Sequence, residues 1–215
     1  MREIWFAALI ASSLFGAYPA MAAPAAPPAV APAAADNVLA VKPTDRVLGK
    51  PDAPITIVEY GSLSCPHCAH FATEVLPQLQ KEWIDTGKAK LVFRDFPLDK
   101  MALRAEMVAR CAPPDRYFGL IDLMFANQEK WVLAKNWREA LGRLVQIAGI
   151  GKKEFDACLA NQQVENEVAQ SRLTASQKLG VDATPTFFIN GKKFEGAPTF
   201  AGFNQALSNL GKEKS

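Results

Sequence analysis

Metal ligands are scarce in this chain of 215 residues, which has two histidines and four cysteines. A zinc or copper site usually takes about four such side chains at close spacing. Only one short stretch, residues 65–70, brings any of them together, so no metal is expected as the primary ligand. Excess charge is missing as well. Lysine and arginine total 24 against 22 aspartate and glutamate, a net charge of +2, which offers no handle to nucleic acid or any other polyanion. Long apolar runs are also lacking: the run from Ile4 to Phe15 falls short of the roughly 20 residues of a membrane span, and no other stretch approaches that length. Apolar content as such is ample, at 49% hydrophobic against 21% charged residues. That balance excludes a disordered chain, and the length supports a core without help from disulfides.

The run from Ile4 to Phe15 follows Arg2 and leads into Ala20, Met21 and Ala22. A basic start, a short apolar core and an A-x-A site are the layout of a secretory signal peptide. Residues 1–22 are therefore read as a leader cleaved after Ala22, with an uncleaved anchor as the alternative. The mature protein is expected to be soluble and outside the cytoplasm. Residues 23–41 are read as a spacer, because Ala23 to Ala35 is almost only alanine and proline, a composition that stays extended and buries no core. It contains no apolar heptads and its prolines block a helix, so a monomer is expected.

Ile55 to Tyr60, ITIVEY, is rich in β-branched residues and marks a strand. Beyond a turn at Gly61 and Ser62, Phe71, Val75, Leu79 and Trp83 recur every four residues with Leu76 beside them, one face of an amphipathic helix. Pro77 predicts a kink in it. Ala89 to Phe96 is a second strand, and strand, helix and strand form a right-handed parallel crossover. From Lys100 to about Gly180 helical periodicity takes over, which predicts an all-helical insertion in an α/β chain. Strand character returns at Thr186 to Ile189 and Lys192 to Phe194, with Asn190 and Gly191 between them as a hairpin turn. A last helix is expected from about Thr199 to Leu210.

The chemistry-bearing motif is Cys65, Pro66, His67, Cys68, at the start of the first helix. Cys65 falls where unpaired backbone N–H groups point outward, and Pro66 suits the first helical position because no N–H is missed there. The helix dipole favours a thiolate at that place. His67 is expected to add a positive charge or a hydrogen bond, while Cys68 lies one turn inside and is more shielded. Cys65 is thus the expected attacking sulfur and Cys68 the resolving one. Thiolate pKa values in such sites span about 3.5 to 7.5, against about 8.5 for free cysteine. The low end favours the reduced form by about 4 to 5 kcal/mol and makes the disulfide roughly 100 mV more oxidising, whereas a value near 7 contributes almost nothing. His67 and an oxidising compartment point to a disulfide donor. An isomerase or reductase kept reduced by a membrane partner, and a metal-handling binding module, are the alternatives. Cys111 and Cys158 lie in the helical stretch and are either a second, structural disulfide or two buried free thiols. His70, on the turn after His67, is expected to cover the helix surface.

From about Val47 to Leu210 the chain resembles the DsbA-like thiol-disulfide oxidoreductases of the bacterial cell envelope, carried chiefly by Cys65-Pro66-His67-Cys68. The resemblance implies a thioredoxin fold with an inserted all-helical subdomain: residues 42–98 and 181–215 form the thioredoxin-like parts and 99–180 the insertion. It implies that Glu59, six residues before Cys65, is the family's buried acid beneath the redox site, relaying the resolving cysteine's proton. It implies that Thr184-Pro185 is the cis-proline loop that packs on the active-site disulfide and offers backbone to substrate; some donors of the family carry valine where Thr184 stands. The low-end Cys65 pKa is likewise a property of that family. No cofactor is implied. The partners implied are reduced, unfolded secreted proteins and a membrane redox partner for reoxidation, and the compartment is the periplasm.

Overall fold

The computed structural model describes residues 38–212. The leader and the spacer up to residue 37 lie outside the described residues. Among the described residues a five-stranded mixed sheet forms, from β1 (Arg46–Leu48), β2 (Ile55–Gly61), β3 (Ala89–Asp95), β4 (Thr186–Ile189) and β5 (Lys192–Lys193). Its order is β1-β3-β2-β4-β5. β2 and β3 run parallel, and the other pairings are antiparallel. The three-residue β1 was not foreseen, being too short for any periodicity to show.

Alternation along β2 sends Ile55, Ile57 and Glu59 to one face and Val58 and Tyr60 to the other. Both faces are covered, so the strand is buried along nearly its whole length. On the first face Ile57, Leu91 and Phe187 meet Phe71, Val75 and Leu79 of helix α1 (residues 66–84), and Phe203 and Leu207 of the last helix, α8 (Phe200–Lys212). On the second face Val58, Tyr60, Val92 and Phe188 meet Ala175. The hairpin between β4 and β5 turns on Asn190 at φ 47° and Gly191 at φ 82°, the pair of positive angles that a two-residue type I′ turn demands.

Helix α1 departs from the simple kink expected at Pro77. It consists of α-helical Pro66–His70 and Leu76–Leu79 interleaved with π-helical turns Phe71–Val75 and Gln80–Ile84. The Leu76 N–H reaches back five residues to the Phe71 carbonyl. Pro77 has no N–H to give to Thr73, so the turn ahead of it widens into a π bulge.

The insertion between β3 and β4 is helical, as the periodicity predicts. It comprises α2 (Lys100–Cys111), α3 (Tyr117–Ala126), α4 (Gln128–Val132), α5 (Trp137–Ile147), α6 (Lys152–Leu159) and α7 (Gln162–Leu179). Its core gathers Val108, Leu120, Met124, Trp131, Leu141 and Val145, and it is continuous with Leu63, Cys65 and Cys68 of the motif. Cys111 at the end of α2 and Cys158 in α6 are joined by a disulfide, with Cα atoms 6.1 Å apart.

The end of the stretch read as spacer is held to the sheet. Arg94 of β3 donates to the carbonyls of Val38 and Ala40, to the Tyr60 hydroxyl, and through Nε and Nη2 to Asp45 at 3.1 and 2.7 Å. All five guanidinium N–H groups are thereby occupied.

Candidate active site

Cys65 caps α1. Its φ of −82° and ψ of 121° are extended, Pro66 follows at the first helical position, and the Ala69 N–H closes the first turn on the Cys65 carbonyl at 3.1 Å. This is the arrangement that leaves the N–H groups of the first turn free to face the sulfur. Cys65 and Cys68 are free thiols, 4% and 0% exposed. The Ser62 N–H points at Cys68 Sγ from 3.5 Å.

The two sulfurs are pushed in opposite directions. Cys65 is lowered to about 5, first by a hydrogen bond from the Cys68 thiol; burial opposes this, and Thr184 and the backbone N–H groups of Cys68 and His67 add to it. In the thiol form Cys65 Sγ donates to the Thr184 carbonyl at 3.3 Å. The Thr184 hydroxyl, buried and without a partner among the described residues, is free to turn to the sulfur once that proton leaves. Cys68 is raised far above the range of an ordinary thiol, mainly by burial, then by its bond to Cys65 and by the charge of Glu59. Glu59 is 2% exposed with Oε1 unpartnered among the described residues. Burial holds its carboxyl well above the usual range, and the charges of Cys65 and Asp122 push the same way. Gly61 ends β2 beside it. A Cβ built there would stand 2.6 Å from the Phe93 ring and 3.1 Å from a Glu59 carboxyl oxygen.

Two expectations are modified. The His67 imidazole lies exposed, and it is the backbone N–H of His67 that serves the sulfur. The Cys65 value of about 5 lies above the low end of the family's range, because burial works against the hydrogen bonds. At pH 7 it favours the dithiol by at most about 3 kcal/mol, since water still reaches part of the site, or about 60 mV toward a stronger oxidant.

Thr184-Pro185 is a cis peptide bond. β5 pairs only with Phe188 and Ile189, so it does not reach Thr184, whose carbonyl faces Cys65. Sequence reasoning missed two side chains from the insertion. Gln128 Nε2 donates to the carbonyls of Leu63 at 2.8 Å and Cys65 at 3.0 Å, and Glu106 Oε1 accepts from the Leu63 N–H at 3.2 Å. Glu106, a polar residue among the buried apolar positions of α2, left a signal that could have been read; Gln128 did not. Among the described residues no group of three or more His, Cys, Asp or Glu side chains is placed to hold a metal ion, and no helix is long and apolar enough to cross a membrane.

The depressed Cys65 pKa makes the redox states respond differently to pH. In the unfolded chain the thiol ionises near 8.5, and in the folded dithiol near 5. The thiolate's contribution is therefore complete above 8.5, shrinks as pH falls, and is gone below 5. The disulfide form has no such group. Denaturant unfolding of both forms should show the dithiol gaining on the disulfide by up to about 1.4 kcal/mol per pH unit between pH 5 and 8.5. A margin that stays flat across that interval would contradict the ionisation described.

A family model described as Thioredoxin matches residues 41–209. A putative protein-disulfide oxidoreductase of Rickettsia bellii is 34% identical over 152 residues, which are 70% of this chain and 59% of that protein. A probable disulfide bond formation protein D of Bacillus cereus is 30% identical over 162 residues, 72% of this chain and 74% of that protein. The chain spans only 59% and 55% of the lengths of two rickettsial relatives. The crystal structure of Wolbachia pipientis alpha-DsbA1 superposes with a TM-score of 0.75 at 31% identity, over 81% of this chain and 94% of that one. The chain belongs to the thioredoxin family and, within it, to the DsbA-like thiol-disulfide oxidoreductases.

Proposed function

We propose that the protein works in the periplasm, after removal of residues 1–22, and passes a Cys65–Cys68 disulfide to reduced, unfolded secreted proteins. The observation that carries this is the opposition of the two sulfurs: Cys65 is stabilised as an anion at about 5 while Cys68 is held protonated. A client thiolate attacks Cys65 Sγ, the bond to Cys68 breaks, and Cys68 leaves with a proton that Glu59 is positioned to supply. A second client thiolate then attacks the client sulfur of the mixed disulfide and expels Cys65. The client loses two electrons and two protons, one proton replacing the one Glu59 gave and the other passing to solvent; the protein ends reduced, with Cys65 as thiolate and Cys68 as thiol, and a membrane redox partner reoxidises it. Departure is fast because a sulfur of low pKa is a good leaving group. Thr184 and Pro185 would receive the client's extended chain, in the manner of a peptide added to a strand edge. Cys111–Cys158 is a structural bond with no part in turnover.

Equilibration with glutathione tests the direction. A donor should titrate well above thioredoxin's roughly −270 mV, and rapid alkylation of Cys65 should lose its thiolate only below about pH 5. A potential near that of thioredoxin would transfer the protein to the reductase and isomerase class.

A further inference from the structure

The loop from Ser62 to Ser64, between β2 and α1, leads into the motif, and the helical insertion supplies three of its hydrogen bonds. Ser64 Oγ donates to Asp99 at 2.7 Å, and Asp99 in turn caps α2 through the Ala102 N–H. Leu63, fully buried, has its N–H held by Glu106 and its carbonyl held by Gln128. Gln128 reaches past it to the Cys65 carbonyl as well. Both of its acceptors are carbonyls, which fixes the amide nitrogen as the atom facing them. The only backbone bond within the loop closes Cys65 N–H on the Ser62 carbonyl at 3.0 Å.

We infer that Gln128 and Glu106 are positioning residues for the redox reaction, holding residues 62–65 so that Cys65 keeps its helix-capping orientation and its sulfur keeps its ring of donors. The assignment rests on Cys65 being the attacking sulfur. A capping residue shows its side chain to the first-turn N–H groups only while its own peptide planes are fixed. Here one of those planes is gripped by the first turn of α1 and by Gln128 together. Removing the amide strands the buried Leu63 carbonyl, and a stranded carbonyl drives the loop to a new arrangement. The insertion is then part of the device that sets how easily Cys65 gives up a proton, acting through the hydrogen bonds of the loop backbone.

The test is the pH dependence of Cys65 alkylation in the intact reduced protein, with Gln128→Leu and Gln128→Met as two apolar replacements of different shape. Both should raise the midpoint by about one unit, and the equilibrium constant against glutathione at pH 7 should change about tenfold, about 30 mV, toward a weaker oxidant. Glu106→Leu should act in the same direction. Glu106→Gln, which keeps an acceptor for the Leu63 N–H, should restore the wild-type midpoint, and Lys130→Ala, on the same short helix, should leave it in place. If the Gln128 variants unfold more easily while midpoint and potential stay at wild-type values, the residue is structural only and the inference is overturned. The alkylation midpoint needs no oxidase turnover. A wild-type protein that fails to oxidise clients would therefore refute the proposed function without touching this result.

Discussion

Replacing Cys68 by alanine should turn the protein into a trap for its partners. The Cys65 thiolate of that variant still attacks a disulfide, releasing one thiolate and keeping the other half as a mixed disulfide. In the native protein Cys68 lies against Cys65 and can displace that half. In the variant no second cysteine is within reach to displace it. Incubated with a disulfide-bonded peptide, the variant should accumulate a one-to-one adduct visible by mass spectrometry and abolished by Cys65→Ala. Its turnover as an oxidant should fall by roughly a thousandfold or more, the order expected when one member of a covalent catalytic unit is removed. Adduct formation at wild-type levels, or an adduct through any other residue, would count against the order of events proposed for the two sulfurs.

Arg94→Ala should be the most damaging substitution far from the motif, costing about 3 to 5 kcal/mol. The Arg94 and Asp45 side chains are 6% and 9% exposed, and truncation leaves the Asp45 carboxylate without its cation in a site that water barely enters. The carbonyls of Val38 and Ala40 lose their donors in the same step. Lysine should recover less than half of the loss, because three donors on a point charge cannot span a carboxylate, two carbonyls and the Tyr60 hydroxyl. Urea unfolding with an unchanged slope would measure it. A loss below about 1 kcal/mol would mean that the segment from Val38 to Asp45 contributes little to the folded state.

What the sequence disclosed was chemistry confined to a few neighbouring residues or to a repeating face. Cys65 to Cys68 could be read because four adjacent residues define a helix start. The insertion could be read because its periodicity runs for some eighty positions. Gln128 was illegible for the opposite reason: it lies 65 residues from Leu63 and 63 from Cys65, and nothing local marks one glutamine among several as buried. His67 misled for a related reason, since its side chain suggested a charge while the fold uses only its N–H. The first π turn of α1, Phe71–Val75, follows from Pro77, yet the sequence rule for proline foresees a bend without saying that the missing bond will be absorbed by a wider turn upstream. Arg94 stands in an apolar strand, and the packed N-terminal segment gives it all its acceptors except the Tyr60 hydroxyl.

The bare Cα of Gly61 limits what mutation can explore here. Even a methyl group at that position would have to displace the Phe93 ring and crowd the Glu59 carboxyl. In a library that randomises every position of β2, survivors should therefore retain glycine at 61 while tolerating exchange of Ile55 for other aliphatic residues. The acid beneath the sulfurs exists because a neighbouring side chain does not, so any redesign of this pocket has to treat that empty volume as one of its functional parts.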